Sequence, residues 1–193
     1  RWIGVGGILD QISEFQKRYG AMDESQLRGF MEDMDARIAE HYDGLSKSKK
    51  EKLTNKEGQM KAGGVLSDMK TQATNAVNKA TRNLADNAMR VADVEALDTL
   101  ISQLDPKTDA KQIRDAKKER RKTASKIVDN DALIRAYDDA VDVVREYEAY
   151  QYLTRVMMQQ AADGMWVKRE GFEPVPNDIL FDLNRGDDFA RNY

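Results

Sequence analysis

The residues best suited to chemistry are carboxylates. Asp138, Asp139 and Asp142 fall within five residues, and one helical turn brings three such groups close enough to hold a hard cation such as magnesium through oxygen. Asp129, Asn130 and Asp131 form a second oxygen-rich run. A calcium loop needs glycine at its sixth position and glutamate at its twelfth, where this chain has Ile134 and Ala140, so the run is read as a helix cap. His41 is the single imidazole, with Glu40 and Tyr42 as neighbours and no second ligand or nucleophile nearby. It is read as a surface or capping residue. Cysteine is absent, which removes thiol nucleophiles, thiolate metal sites and disulfides together. Gly4, Gly6 and Gly7 lack the preceding strand and following Lys-Ser/Thr of a phosphate cradle.

The run Asp138-Asp139-Ala140-Val141-Asp142 resembles the magnesium-diphosphate motif of the all-α prenyl-diphosphate and terpene synthases. The resemblance covers these five residues. It implies a second Asp-rich run on a facing helix, and the chain has none, so the carboxylates are read as a solvated acidic face. No catalytic residue, cofactor or metal site is assigned.

The basic residues are concentrated differently. Residues 111–126 hold Lys111, Arg114, Lys117, Lys118, Arg120, Arg121, Lys122 and Lys126 against Asp115 and Glu119. At 100° per residue most of them line one broad face, opposite Ile113, Ala116, Ala124 and Ile127. Arg114, Lys117, Lys118, Arg121 and Lys122 form the candidate stripe for an anionic partner. Residues 129–148 carry seven acidic residues against Arg135 and Arg145, so the charge comes in blocks of opposite sign. Such blocks set register and partner between helices or between copies of one subunit. With 31 basic and 34 acidic side chains and a net charge of −3, no global field draws the chain to nucleic acid or anionic membrane.

These groups need helices to position them. Three prolines, 7% aromatics and 34% charged residues favour long amphipathic helices over sheets. Ile8, Ile12, Phe15 and Tyr19 mark a short first helix. Leu27, Phe30, Met31, Met34, Ile38 and Tyr42 mark a second, capped by Asp23 or Ser25 and ended by Gly44. Residues 46–64, with Leu53 and Met60 as their only sizeable apolar side chains, are expected to be a flexible linker. A long helix then runs through Ala73, Val77, Ala80, Leu84, Ala88, Val91, Val94, Leu97, Ile101 and Leu104 to Asp105-Pro106, where proline ends it. A return helix follows, with a pause at 129–131 left open. From Leu133 the four-three spacing through Tyr137, Ala140, Val144, Tyr147, Gln151, Thr154 and Met158 is the coiled-coil period, and Gly164 is expected to close the helix. Tyr150, Leu153 and Met157 open a second apolar face.

The expected fold is all-α: an elongated antiparallel hairpin of long helices (65–164), a pair of short N-terminal helices (1–44), a linker (45–64) and an irregular C-terminal tail (165–193). The tail combines Pro174 and Pro176 with Trp166, Phe172, Ile179, Phe181, Phe189 and Tyr193, more apolar surface than a free end readily exposes, and these six are the expected partner-docking residues.

No run approaches the roughly 20 apolar residues needed to span a bilayer, and a soluble chain is expected. The stretch Trp2, Ile3, Val5, Ile8, Leu9 and Ile12 lacks the basic polar face of an interfacial helix, so membrane contact is unsupported. Arg1 in place of Met reads as a processed product or an excerpt. The expected function is that of a non-enzymatic structural or assembly subunit of a large complex, a phage or other virus particle being the first setting considered. It would act on other subunits, copies of itself included. The alternatives are a secreted or membrane-associated helical effector or toxin segment and, more remotely, a nucleic-acid-associated helical module.

Overall fold

A computed structural model describes residues 18–19 and 22–170; the expected first helix, up to residue 17, and the tail beyond residue 170 lie outside them. The described chain is mostly helical, with one short two-stranded ribbon. It divides into two compact units, one of residues 1–73 with 143–193 and one of residues 74–142, each taken here by itself.

In the first unit, α1 (Glu24–Asp43) starts at a capping box. Asp23 Oδ1 accepts from the Gln26 backbone N–H at 2.8 Å, and Gln26 Oε1 accepts from the Asp23 N–H at 3.0 Å. Leu27, Met31, Met34 and Ile38, spaced four, three and four apart, are its buried stripe. Tyr19 is buried and stacks at a tilt on Phe30, ring centroids 5.1 Å apart.

Residues 45–64, where a linker is expected, hold α2 (Lys47–Lys52), an isolated bridge from Thr54 to Met60 and the start of α3 (Ala62–Gln103). Hydrogen bonds do here what apolar burial cannot. Asn55 Oδ1 accepts from the backbone N–H groups of Glu57 and Gln59, and Gly58 takes the left-handed φ of +79° that closes the turn. The Thr54 hydroxyl donates to the Lys50 carbonyl, so in the 2.6 Å pair with Tyr42 the tyrosine is the donor. A Cβ at Gly64 would lie 2.8 Å from Leu53 Cδ2, so a side chain there would require the end of Leu53 to move.

α5 (Asn130–Tyr152) ends earlier than its apolar period predicts. A five-residue π turn (Leu153–Met157) leads into β1 (Met158–Gln160), which pairs antiparallel with β2 (Trp166–Lys168). Gly164, expected to close the helix, instead turns this ribbon at φ +84°. Arg169 makes the change from helix to strand tolerable. Its guanidinium donates to the carbonyls of Thr154 (2.8 Å) and Met158 (3.1 Å), which the interrupted ladder would otherwise leave short of donors.

In the second unit, residues 74–103 of α3 are followed by a turn at 105–109, α4 (Ala110–Ala124), a break at 125–129 and the start of α5. The turn is built on two aspartates: Asp109 Oδ2 accepts from the Asp105 N–H, and Asp105 Oδ1 from the Lys107 N–H. The buried line of α3 runs Val77, Ala80, Asn87. It passes through Asn87 and leaves Ala88 and Val91, expected on the buried face, exposed. The reason is a clip: the Asn87 amide, 2% exposed, accepts from the Val128 N–H at 2.8 Å and donates to the Val128 carbonyl at 3.0 Å. It thus satisfies both polar groups of a residue that no helix ladder serves, inside the break at 125–129.

Asn87→Ala should therefore lower unfolding stability by about 1–2 kcal/mol, because it removes both partners of the part-buried Val128 N–H and C=O together. A urea titration followed by circular dichroism checks this; an unchanged midpoint would show that the break is held by other groups.

Candidate interaction surfaces

Within the first unit, three helices and the ribbon meet around the last turns of α5. The Asp35 carboxylate of α1 accepts from Tyr150 Oη at 2.5 Å and from Trp166 Nε1 at 2.7 Å, and the two rings stand edge to face, centroids 6.2 Å apart. Burial, and then the adjacent Asp35 carboxylate, push the Tyr150 phenol well above the ordinary phenol range, so it stays a donor. Arg28 Nε donates to the Trp166 carbonyl at 2.8 Å, and the Lys168 N–H to Glu24 Oε1 at 3.2 Å.

On the same turns Glu146 pairs with Arg37 at 2.7 Å and with Arg18 at 3.5 Å, while Glu148 pairs with Lys70 of α3 at 3.1 Å. Burial opposes the Arg37 charge, yet the hydrogen bond and charge of Glu146 outweigh it and push the guanidinium upward. The network joins α1, α3, α5 and β2, and each polar group in it is turned toward a partner. That arrangement holds the elements together.

A second cluster lies at the other end of α1. His41 Nε2 is 2.8 Å from Asp68 Oδ2, and Lys49 Nζ is 3.2 Å from Oδ1. A carboxylate only accepts, so the imidazole Nε2 carries the proton of that bond. The His41 hydrogen bond, followed by Lys49, holds the Asp68 carboxyl below its ordinary range. His41 thus joins α1 to α3. An open depression of about 390 Å³ lies beside α2, lined by Tyr42, Lys47, Lys50, Glu51, Thr54 and Asn55.

In the second unit the burial of α4 and the residues after it follows the helical period. Ala116 is buried and Ile113, Ala124 and Ile127 are half-buried, while Arg114, Lys117, Lys118, Arg121 and Lys122 are all exposed. Arg120 sits at the edge of this face and pairs with Asp98 through both its Nε and its Nη2, which draws the Asp98 carboxyl down and the guanidinium up. Asp138, Asp139 and Asp142 are exposed on α5. Among the described residues, no group of three or more His, Cys, Asp or Glu is placed to hold a metal ion, and no helix is long and apolar enough to cross a membrane.

Trp166, expected on the docking tail, is a core residue of its own unit; its indole reaches Asp35 because β2 folds back on β1. Phe172, Ile179, Phe181, Phe189 and Tyr193 lie outside the described residues. Asp35 and Asn87 carried no sequence signal, since each sits mid-helix in a polar-looking stretch. Comparison with known proteins finds no matching family model, no matching curated protein and no matching solved structure.

Two outcomes follow for stability. Tyr150→Phe should cost about 2 kcal/mol and Asp35→Ala about 3 kcal/mol or more, since the second strands two donors; chemical denaturation measures both, and a smaller loss for Asp35→Ala would refute the shared-carboxylate account. Asp68 titrates lower in the folded than in the unfolded chain, so its contribution is complete above its ordinary value of 3.8 and disappears as pH falls through the lower folded value. Melting curves of Asp68→Asn should be lower than wild type at neutral pH and converge with it as the pH falls below the ordinary value of 3.8.

Proposed function

We propose that the chain is a non-enzymatic structural or assembly subunit of a large protein complex, with a phage or other virus particle as the setting to test first. It acts through helix–helix packing and a docking tail at its C-terminal end. The observation that carries this reading is the large apolar surface left in solvent along residues 74–142. Met89 is 65% and Leu100 44% exposed. Eleven residues separate them, so on one helix they point within about 20° of each other. Ala85, Ala92 and Ala96 are exposed beside them, which gives α3 an apolar stripe with small residues where a partner helix can approach. Covering each large side chain contributes about 1.5–3 kcal/mol, enough for a few such residues to drive docking.

An antiparallel return of the chain after Pro106 belongs to the same reading. Within residues 74–142 it is supported by the Asp98–Arg120 pair, the Arg90 to Lys126 carbonyl bond and the Asn87–Val128 clip, whose partners run in opposite sequence directions. The tail's docking role now rests on residues beyond 170, since Trp166 is occupied internally.

Met89→Glu with Leu100→Glu in the full chain should leave helicity and melting temperature near wild type while abolishing incorporation into the native complex. Deletion of residues 171–193 should do the same. The readout is the native mass of the tagged chain purified from its source. Wild-type incorporation by all these variants, or a wild-type chain recovered at monomer mass, would remove the assembly reading.

A further inference from the structure

The second unit carries two exposed blocks of opposite charge that do not neutralise each other within the chain. For the five cations of the α4 stripe, the described residues provide a single carboxylate within 4.0 Å: Glu119, 3.8 Å from Lys122 on the same helix. On α5, Asp131, Asp138 and Asp142 fall within about 40° of one another around the axis, and all three are exposed, as is Asp139. No ion pair among the described residues joins Asp131, Asp138 or Asp139 to a cation of α4.

Between the blocks in sequence lie two large apolar side chains in solvent, Val128 at 48% and Ile134 at 41% exposure. The clip by Asn87 uses both backbone polar groups of Val128, so its isopropyl group is what remains to offer a partner.

Along residues 111–142 the exposed side chains run basic, apolar, acidic, an order that is complementary to itself when two copies meet antiparallel, head to tail. A two-fold axis through the apolar middle lays the basic block of one copy along the acidic block of the other, and the symmetry forms that match twice. We infer that residues 111–142 form a self-association surface, in which α4 of one copy docks against the opening turns of α5 of a second copy, with Val128 and Ile134 at the centre. This rests on the assembly reading above and names its partner. A polyanion fits less well. Residues 74–142 contain 13 basic and 13 acidic side chains, so a phosphate backbone laid along α4 meets the acidic block of the same unit.

The test is sedimentation equilibrium of the full chain with two charge-reversed variants, Lys117→Glu/Arg121→Glu and Asp131→Lys/Asp138→Lys, each checked for wild-type helicity. The wild type should dimerise at low ionic strength and dissociate toward about 1 M salt, where screening acts over about 3 Å. Each variant alone should bind itself at least about tenfold more weakly. An equimolar mixture should recover the dimer, because the reversed basic block then faces a reversed acidic one. Val128→Ser/Ile134→Ser should weaken the dimer at every salt concentration. A monomeric wild type, undiminished dimerisation of both variants, or a folded mixture that fails to recover overturns the inference. So does salt-sensitive binding of a duplex DNA probe by a monomeric wild type that Lys117→Glu/Arg121→Glu abolishes. Should the charge variants lose dimerisation yet still enter the native complex, self-association by this surface stands but is not the assembly contact. Loss of incorporation by the Met89/Leu100 variant with the dimer intact separates the two surfaces from the other side.

Discussion

The first unit is organised by a single carboxylate. Asp35 accepts from a phenol and from an indole, and those two donors come from different elements, the end of α5 and β2. A buried indole N–H and a buried phenol each need an acceptor, and one aspartate serves both. Moving any of the three elements would leave at least one donor without a partner. Around this point the arrangement is outwardly charged and inwardly apolar. Glu146 and Glu148 tie the same helical turns to α1 and α3, and Leu27, Met31, Met34, Ile38, Leu153 and Met158 fill the space beneath.

The second unit is held differently. Its buried side chains are small, Val77, Ala80, Ala116 and Val141 among them, and small side chains bury little area to offset the entropy of ordering a long helix. Specific polar contacts make up part of the difference: the Asn87 amide stands in for a neighbouring peptide group, and Arg120 with Asp98 forms a two-pronged pair. This economy leaves large apolar residues and unmatched charge on the outside. The features that carry the functional proposals therefore follow from how thin the interior is.

The helical architecture was legible because it depends on repetition. The 4-3-4 stripe of α1, its Asp23 cap and the stop at Asp105-Pro106 all have sequence signals that local chemistry enforces. What was illegible depends on single long-range contacts. Met158, Gln159 and Gln160 are good helix formers, and only the fold-back of Trp166 onto Asp35 turns them into a strand. Asn87 reads as one more polar residue on a helix until Val128 is set beside it. An apolar count over residues 45–64 gives a linker because it does not register an asparagine that engages four backbone groups of its turn. Of the candidate surfaces, the basic stripe could be read from helical periodicity, whereas the exposure of Met89 and Leu100 could not, since apolar residues on a helix are ordinarily expected to face inward.

The discontinuity of the first unit sets an order of events during synthesis. Its core joins residues before position 74 to residues after position 142, and the Asp35–Trp166 bond spans 131 positions. The contacts of the intervening unit span only 22 and 41 positions. Closing the shorter loops costs less entropy, and they become available earlier as the chain emerges. Residues 74–142 can therefore acquire structure while α1 still waits for its partners, leaving Leu27, Met31, Met34 and Ile38 open to water until the last third of the chain is made. The interval before that closure is the stretch of the protein's life in which a chaperone, or an equally unfinished neighbouring chain, has most to bind.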